Sequence, residues 1–528
     1  MEQLNNPLPL TEEKQPAAEE LFRYPESPLL LQMRHKYGLY GGISLTFGVG
    51  FALFFYRAWI GLNVFFYSAI IVALLTIVMT KLTPKMKVGT KLYFGAVLLL
   101  GASTALTSNE TLLFLNIVAM LILLDLSLLH QFYEVGRWEF IKHLGKMINL
   151  VFISIACLWM PFADGLQYFK KIKVLKNDKV RNIIIGTLIS IPILFVITLL
   201  LSSADMLFGS VAEDIYDGIF SADIFWIISM VVFGMLACYC ILSATLLRVG
   251  MEEKKGFAKA DASIAATVIT LLCLLYACFC VLQILYLFTG GLLVLPEGYT
   301  YAEYARRGFF ELMFVTAINI SLMILCRTLF KESKFLNFLV VFMTACTFIL
   351  IASATYRMLL YINSYHLTFL RLFVLLVLFI EVFILTGVII SEFRKNFPLF
   401  TYSVAVITIC YLVFALGKPD YVIASYLIHQ KDTLNMEDLS YLSTELSLDA
   451  APVLLPILEN EKRWDKNAET SGDYGFESDR IYPMSYEDMV KNYYQRIEEA
   501  NDSIDIREFN YSTYIAGKTA KEYPVKKN

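Results

Sequence analysis

The chain has 528 residues, of which 57% are hydrophobic and 17% are charged, and its formal net charge is -3. A mean hydropathy of +0.60 means more apolar surface than a water-soluble core of ordinary proportions can bury. Composition therefore excludes an ordinary soluble globular protein. The clustering of Lys and Arg in some short loops, with acidic residues in other loops and in both tails, argues against nucleic-acid binding.

Residues 1–33 form an acidic, proline-containing arm that is predicted to be disordered. No basic segment in this arm leads into an apolar run, so no cleavable signal peptide is apparent. The basic cluster Arg34, His35 and Lys36 follows the arm and indicates a cytoplasmic start at the membrane.

Apolar segments dominate residues 34–417, which we predict to be a multi-span helical membrane domain. A helix needs about 20 residues to cross roughly 30 Å of hydrocarbon. Spans are predicted at 38–56, 58–80, 92–108, 111–130, 182–202, 224–248, 264–291, 309–328, 335–357, 367–391 and 398–416. The predicted fold class is an all-α, polytopic integral membrane protein.

The segment 147–168 differs from these because Pro161 and Asp164 interrupt it. If it crossed the membrane, the basic loops on its two sides, 137–146 and 170–181, would lie on opposite faces, against the positive-inside rule. We therefore predict about eleven spans plus one interfacial or re-entrant helix, with the N-terminus inside and the C-terminal tail outside. The alternative is about twelve spans with both ends inside.

The nine cysteines lie in or at the ends of apolar segments, so no disulfide framework is expected. The C-x-C pairs at 238–240 and 278–280 direct their thiols to different helix faces, which argues against a metal site. Metalloprotease, Walker and dinucleotide-binding motifs are absent from the sequence. We expect no cofactor, nucleotide or nucleic acid, and the lipid bilayer is the expected partner.

The chain becomes polar after the last span. Residues 418–460 are predicted to form short helices outside the membrane, with Asn435 and Asp449 as N-caps. Residues 461–528 are predicted to be a polar linker followed by an amphipathic helix from Ser485. The apolar face of that helix includes Met489, Tyr493 and Ile497.

Five strings resemble the bacterial membrane proteins grouped as domain of unknown function 4173, and the related group 4153. They occur in order as LLSSADMLF, YAEYARRGFFEL, HLTFLRLFV, KPDYVIASYLI and DLSYLSTELSLDAAPVL, within residues 180–460. The resemblance implies a bacterial plasma-membrane protein of many helices with a helical extramembrane segment, and it implies no activity. Two positions depart from the expected pattern: His366 replaces a glycine and Lys418 replaces an asparagine.

A charged, aromatic lead-in at 299–311 runs directly into the span that follows it. Glu303 and Arg307 are spaced i,i+4, and Arg306 and Glu311 extend the charged surface. This pattern is typical of an interfacial anchor, and the alternative is the rim of a substrate or lipid site. Asp205, just outside another span, is predicted to cap the turn ADMLFG.

Glu381 lies near the middle of its predicted span and needs a partner, because an unpaired carboxylate in hydrocarbon is costly. Arg371 is on the same helix but roughly 15 Å away along the axis. We therefore expect the partner on another helix, with Asn319 or an arginine at 306–307 as candidates. For Glu381 we favour a structural role, in which it holds two helices together, over a role in transport or proton relay.

A second group of polar residues flanks the loop near 361–366. Arg357 and Arg371, with Tyr361, Tyr365 and His366, either line a polar pocket or form a belt of side chains reaching the membrane surface. The belt is the favoured interpretation.

Three functional classes remain open. The first is a non-enzymatic scaffold or sensor whose tail engages a protein or envelope partner. The second is a secondary transporter or lipid-handling protein that uses Glu381 and the charged surface at 303–311. The third is an interfacial membrane enzyme.

Overall fold

The computed structural model describes residues 27–171, 222–247, 259–288, 301–394, 396–431, 436–459, 486–502 and 505–524, with isolated residues between them. The helices before residue 172 are α1 Pro28–His35, α2 Tyr37–Phe55, α3 Leu62–Leu82, α4 Val88–Thr104, α5 Glu110–Phe132, α6 Phe140–Ala156 and α7 Met160–Lys171. The next six are α8 Ala222–Leu246, α9 Ala262–Phe288, α10 Tyr301–Leu329, α11 Lys334–Tyr365, α12 Phe369–Phe393 and α13 Leu399–Leu416. The tail contains α14 Pro419–Gln430, α15 Met436–Ser440, α16 Ala451–Glu459, α17 Tyr486–Asp502 and α18 Tyr511–Glu522.

The all-α membrane architecture predicted from the sequence is confirmed. Within the described ranges, 10 helical stretches are long and apolar enough to cross a membrane, and α4 is a shorter apolar helix. These residues contain no strand, only an isolated bridge between Ala260 and Phe330. The predicted span at 182–202 lies largely outside the described residues, as do residues 1–26 of the arm. The predicted disorder does not extend through residue 33, because Ser27 caps α1 at Pro28 and Leu30 is fully buried.

The two largest of the apolar clusters in the described residues organise the helix packing. The first is formed by α1–α5 and α8. Helices α2 and α8 approach closely there, since a Cβ on Gly48 would lie 2.1 Å from the carbonyl oxygen of Val231. The second cluster is formed by α9–α12 and continues without interruption into the tail, where it takes in Leu427, Leu454 and Tyr493. The tail is therefore part of the main core of the protein.

The lysine-rich loops meet at one end of the helix bundle. Lys87, before α4, donates to the carbonyl oxygens of His130 and Tyr133 at the end of α5. Glu139, before α6, pairs with Lys259 at 3.0 Å, before α9. Side-chain contacts thus join loops that the sequence assigned to the cytoplasmic face. We call this the lysine-rich end and the other the tail end.

The helical stretch Phe140–Phe169 is among the 10 candidates by length and composition. Contacts near its two ends, however, both lie at the lysine-rich end of the bundle. At its start, the His143 ring stacks on Phe400 in the first turn of α13, with ring centroids 4.1 Å apart. Near its far end, Asp164 pairs with Arg34 of α1 at 3.2 Å. Both ends therefore lie at the same end of the bundle, which favours the predicted interfacial or re-entrant placement.

The surface of this stretch agrees with that placement. A 3₁₀ turn at Cys157–Trp159 separates the two amphipathic helices α6 and α7. Outward apolar side chains of the helices and the turn are exposed, Phe152 of α6 by 67% and Trp159 of the turn by 75%. Such an apolar face matches a helix lying in the plane of the membrane surface.

Two features of the tail differ from the sequence prediction. Asp449 is not an N-cap, because Ser447 accepts from the Asp449 backbone N–H and caps the 3₁₀ turn Leu448–Ala450 that precedes α16. The tail also has a second helix after the predicted amphipathic one, α18, which Asn510 caps by accepting from Ser512 and Thr513. The predicted cap at Asn435 lies outside the described residues.

Candidate functional site

Glu381 is sealed between helices. Its side chain is 6% exposed and its Oε2 accepts a hydrogen bond of 2.8 Å from the Thr316 hydroxyl of α10. The expectation of a partner on another helix is confirmed. Of the candidates named, Asn319 was wrong, because it donates to Thr347 of α11 at 3.1 Å. The side chains of Arg306 and Arg307 lie outside the described residues, as does that of Glu303. Glu311 is exposed.

Arg371 and Arg357, predicted to flank one polar feature, have different surroundings. The Arg371 guanidinium lies 4.1 Å from the Tyr361 ring centroid and donates to the His366 carbonyl oxygen. Arg357 is buried and donates to Gln283 of α9 at 3.2 Å. Asp205 accepts from the Phe208 N–H at 2.9 Å, which agrees with the predicted cap.

The tail is joined to the tail end of the bundle by buried carboxylates. Asp449, with 1% of its surface exposed, accepts from the Thr107 hydroxyl at 2.5 Å and the Ser108 N–H at 3.0 Å. Asp420, also 1% exposed, accepts from the Asn109 side chain at 2.8 Å and the Ser447 N–H at 3.0 Å. Both carboxylates thus bind the loop between α4 and α5. Burial raises the pKa of Asp420, and these two donors oppose that rise.

A third buried carboxylate, Asp438, binds two cationic or ionisable groups. Its oxygens lie 2.8 and 2.9 Å from Lys431 Nζ, and 3.2 Å from Nε2 of His366 in the loop between α11 and α12. Burial lowers the pKa of His366, and the nearby Lys431 lowers it further. His366 has φ 70° and Lys418 has φ 49°. The two positions where the sequence departs from a Gly or Asn pattern are therefore both left-handed.

The segment 505–511 fastens the end of the tail across two more loops. Arg507 donates to the carbonyl oxygens of Leu53 and Tyr56 at 2.8 and 3.1 Å. Asn510 donates to the Thr107 carbonyl oxygen at 2.6 Å, and the Tyr511 N–H donates to Ala105 at 2.8 Å. These contacts connect the tail with the ends of α2 and α4. No local pattern signals them, apart from Asn510 as a helix cap.

A cavity of about 530 Å³ opens at the lysine-rich end. It is bordered by the start of α6 and by the ends of α10, α12 and α13 that meet there. Charged residues face it in pairs: Arg327 lies 3.6 Å from Glu392, and Lys259 lies 3.0 Å from Glu139. Sequence reasoning identified the cations only as topology signals. Glu381 does not line this cavity.

The arrangement provides two kinds of polar site. The tail junction is filled by its own hydrogen bonds, whereas the cavity has room for a small molecule or a lipid headgroup. Within the ranges that the structure describes, no group of three or more His, Cys, Asp or Glu side chains is placed to hold a metal ion.

Comparison with known proteins places the chain in a family. A family model described as "Domain of unknown function (DUF4153)" matches residues 94–457, well over half of the chain. The match begins earlier than the resemblance seen in the sequence, and it is to group 4153; membership of group 4173 is not shown. No curated protein and no solved structure matches.

Proposed function

Since the chain belongs to the family described as domain of unknown function DUF4153, whose description states no activity, we propose from its architecture that it is a non-enzymatic membrane scaffold or sensor. The helical tail is the surface that it presents to a protein or envelope partner. The membrane domain anchors this surface and holds it in one orientation.

The rigid attachment of the tail carries this proposal. Three carboxylates of the tail, each about 1% exposed, are buried at its junctions: Asp420, Asp438 and Asp449. An unpaired buried carboxylate is costly, so each hydrogen bond or ion pair that these carboxylates make with the bundle favours the docked tail over a free one. A tail held by such contacts and by a shared apolar core is suited to transmit or resist force between a partner and the bundle.

The positive-inside rule assigns the sides. Lys and Arg are concentrated in the loops of the lysine-rich end, and the tail docks on the opposite loops, 56–61 and 105–109. In the proposed orientation the lysine-rich end is cytoplasmic and the tail is extracytoplasmic, in a bacterial plasma membrane.

A secondary transporter is the less favoured alternative. A coupling carboxylate is expected beside a polar path, but Glu381 is 6% exposed and bound to Thr316 between α10 and α12. A lipid-handling role receives separate support from the cavity at the lysine-rich end.

Site-specific photo-crosslinking in intact cells tests the scaffold proposal. A photoreactive phenylalanine analogue replaces Tyr514, a tail residue that is 49% exposed, and the matched control carries it at Phe335, 56% exposed at the lysine-rich end. We expect a discrete crosslinked protein or envelope component from the tail position alone, lost when Asp449→Ala undocks the tail. No product at Tyr514, or the same product from both positions, would contradict the proposal.

A further inference from the structure

The cavity at the lysine-rich end combines an aromatic side with a charged side. Phe140 and Phe400 meet edge to face at 5.2 Å between centroids, and His143 stacks on Phe400. All three line the cavity. The charged side is formed by residues at the ends of α10 and α12. Such a cavity suits a molecule with both apolar and ionic parts.

The charges that line it are balanced in sign. Lys259, Arg327 and Lys331 supply three cations, and Glu139, Glu332 and Glu392 supply three carboxylates. A ligand of one sign would compete with the charges that already pair across the cavity, whereas a zwitterion supplies both signs. The Arg327–Glu392 separation of 3.6 Å exceeds the roughly 2.7–3.2 Å of a direct hydrogen bond, so neither group is committed to the other by a direct hydrogen bond.

The position of the cavity points to the membrane as the source of the ligand. It lies beside the start of the α6–α7 stretch, whose exposed apolar face is suited to the membrane surface. Phe335 and Phe393 adjoin the lining residues Leu336 and Glu392 in sequence and are 56% and 76% exposed. Exposed apolar side chains beside the opening provide a surface for acyl chains.

We propose that this cavity binds the headgroup of an aminophospholipid of the inner leaflet. Arg327 and Lys331 bind the phosphate, and Glu392 binds the primary ammonium. Arginine suits phosphate because its planar donors match the phosphate oxygens, and a carboxylate suits an ammonium that keeps its N–H donors. The acyl chains run over the apolar rim. This site is separate from the tail and does not depend on the scaffold role; its placement in the inner leaflet rests on the proposed orientation.

Native mass spectrometry of the delipidated full-length protein tests the assignment. The probes are phosphatidylethanolamine, phosphatidylcholine, phosphatidylglycerol and free phosphoethanolamine. We expect phosphatidylethanolamine to bind about tenfold more tightly than either other lipid, a difference of ~1.4 kcal/mol. Phosphatidylcholine lacks ammonium N–H donors and phosphatidylglycerol lacks the cation. Equal binding of the three lipids, or a preference for phosphatidylglycerol, would overturn the proposal. Free phosphoethanolamine binding as tightly as the lipid would overturn the assignment to a membrane ligand.

Two variants separate the roles of the charges. Glu392→Gln should remove the preference for the ethanolamine lipid over the choline lipid, and Arg327→Gln should weaken all three phospholipids together. The controls are Lys334→Gln and Arg394→Gln, exposed charges at the same end that do not line the cavity; both should bind as the parent does. A preference that survives Glu392→Gln, or falls equally in the controls, would overturn the assigned roles. Should either cavity variant fail to fold, the lipid comparison on the unaltered protein decides the matter.

Discussion

The carboxylate of Asp449 accepts a hydrogen bond of 2.5 Å from the hydroxyl of Thr107, although the two residues are 342 positions apart in the chain. The same carboxylate accepts from the backbone and side chain of Ser108. One buried side chain thus connects the tail to the loop between α4 and α5. The docked position of the tail therefore depends on this loop.

Replacing Asp449 by alanine should loosen the tail selectively. The change leaves the buried Thr107 hydroxyl and the half-buried Ser108 N–H without their acceptor, which costs roughly 1.5–3 kcal/mol for hydrogen bonds to a charged group. Limited proteolysis at the tail should accelerate while the membrane helices stay intact. The matched control is Asp502→Ala, an exposed residue of α17. Equal protease resistance in both variants would show that the carboxylate does not hold the tail.

His366 occupies a backbone conformation that glycine prefers. Its φ of 70° and ψ of 164° fall in a region that is almost confined to glycine and costs other residues of order 1–3 kcal/mol. His366→Gly should therefore be more stable than His366→Ala by about that amount, the reverse of the usual order of these residues. Both variants lose the imidazole, so their comparison isolates the backbone. Thermal unfolding in detergent measures it, and an Ala variant at least as stable as the Gly variant would contradict the strain.

The imidazole of His366 also predicts a pH dependence. Burial, followed by the Lys431 charge, holds its pKa below the ordinary 6.5. The folded state therefore prefers the neutral ring, and the stability this gives is present above pH 6.5 and is lost as pH falls through the folded-state pKa. Lowering the pH below 6.5 should destabilise the parent more than His366→Gly. A parallel loss in both would assign the pH dependence to other groups.

Asp420 predicts the opposite dependence of stability on pH. Burial raises its pKa above 3.8, so the contribution of its protonated form is complete below that pH and is lost as pH rises through the folded-state value. Asp420→Asn keeps an oxygen to accept from Asn109 and Ser447 but removes the buried charge. The asparagine variant should unfold at the same temperature as the parent or higher at pH 7.5, whereas Asp420→Ala should unfold lower. An asparagine variant as unstable as the alanine variant would show that the ionised carboxylate is required.

The sequence was informative where hydropathy and loop charge act locally. It predicted most of the described spans, and Pro161 and Asp164 with the flanking lysines singled out the α6–α7 stretch. It did not predict the hydrogen-bond partners of polar side chains that bind residues distant in the chain. Asp449 has good N-cap spacing, yet the unmet donors of Thr107 and Ser108 compete for its carboxylate more effectively than its own helix does. The partner of Glu381 could not be predicted either, because several polar residues of α10 could donate a hydrogen bond to its carboxylate.

The Glu381–Thr316 hydrogen bond should act as a contact between α10 and α12. Thr316→Val and Glu381→Met each leave one buried polar group without its partner, whereas the double variant leaves neither. We expect a favourable coupling of about 0.6 kcal/mol, with roughly 1.7 as an upper limit for such bonds in membrane helices. Unfolding of the four proteins in detergent measures the coupling. Additive effects would remove the case for a packing role and revive that of a transport carboxylate.

The close approach of α2 and α8 depends on the absence of a side chain at Gly48. A Cβ there would lie 2.1 Å from the Val231 carbonyl oxygen and 2.8 Å from the Met235 nitrogen, both backbone atoms that cannot turn away. Gly48→Ala should cost about 1–3 kcal/mol through overpacking and lower the yield of folded protein. Gly95→Ala is the control, since nothing lies within 4 Å of its Cβ. Size-exclusion chromatography and thermal unfolding compare them, and equal behaviour would contradict the contact.

The proposed orientation predicts which end of the bundle an external reagent can reach. Ile506 in the tail is 80% exposed, and none of the nine cysteines lies after Cys410. A membrane-impermeant maleimide should therefore label Ile506→Cys in intact cells, whereas Lys334→Cys, exposed at the lysine-rich end, should react only after permeabilisation. The parent protein controls for its native thiols, of which Cys278 is exposed on the α9 surface. Because both cysteines are exposed, a reversed pattern would mean that the lysine-rich loops lie outside, against the positive-inside rule. It would also place the tail, and any partner that it binds, in the cytoplasm.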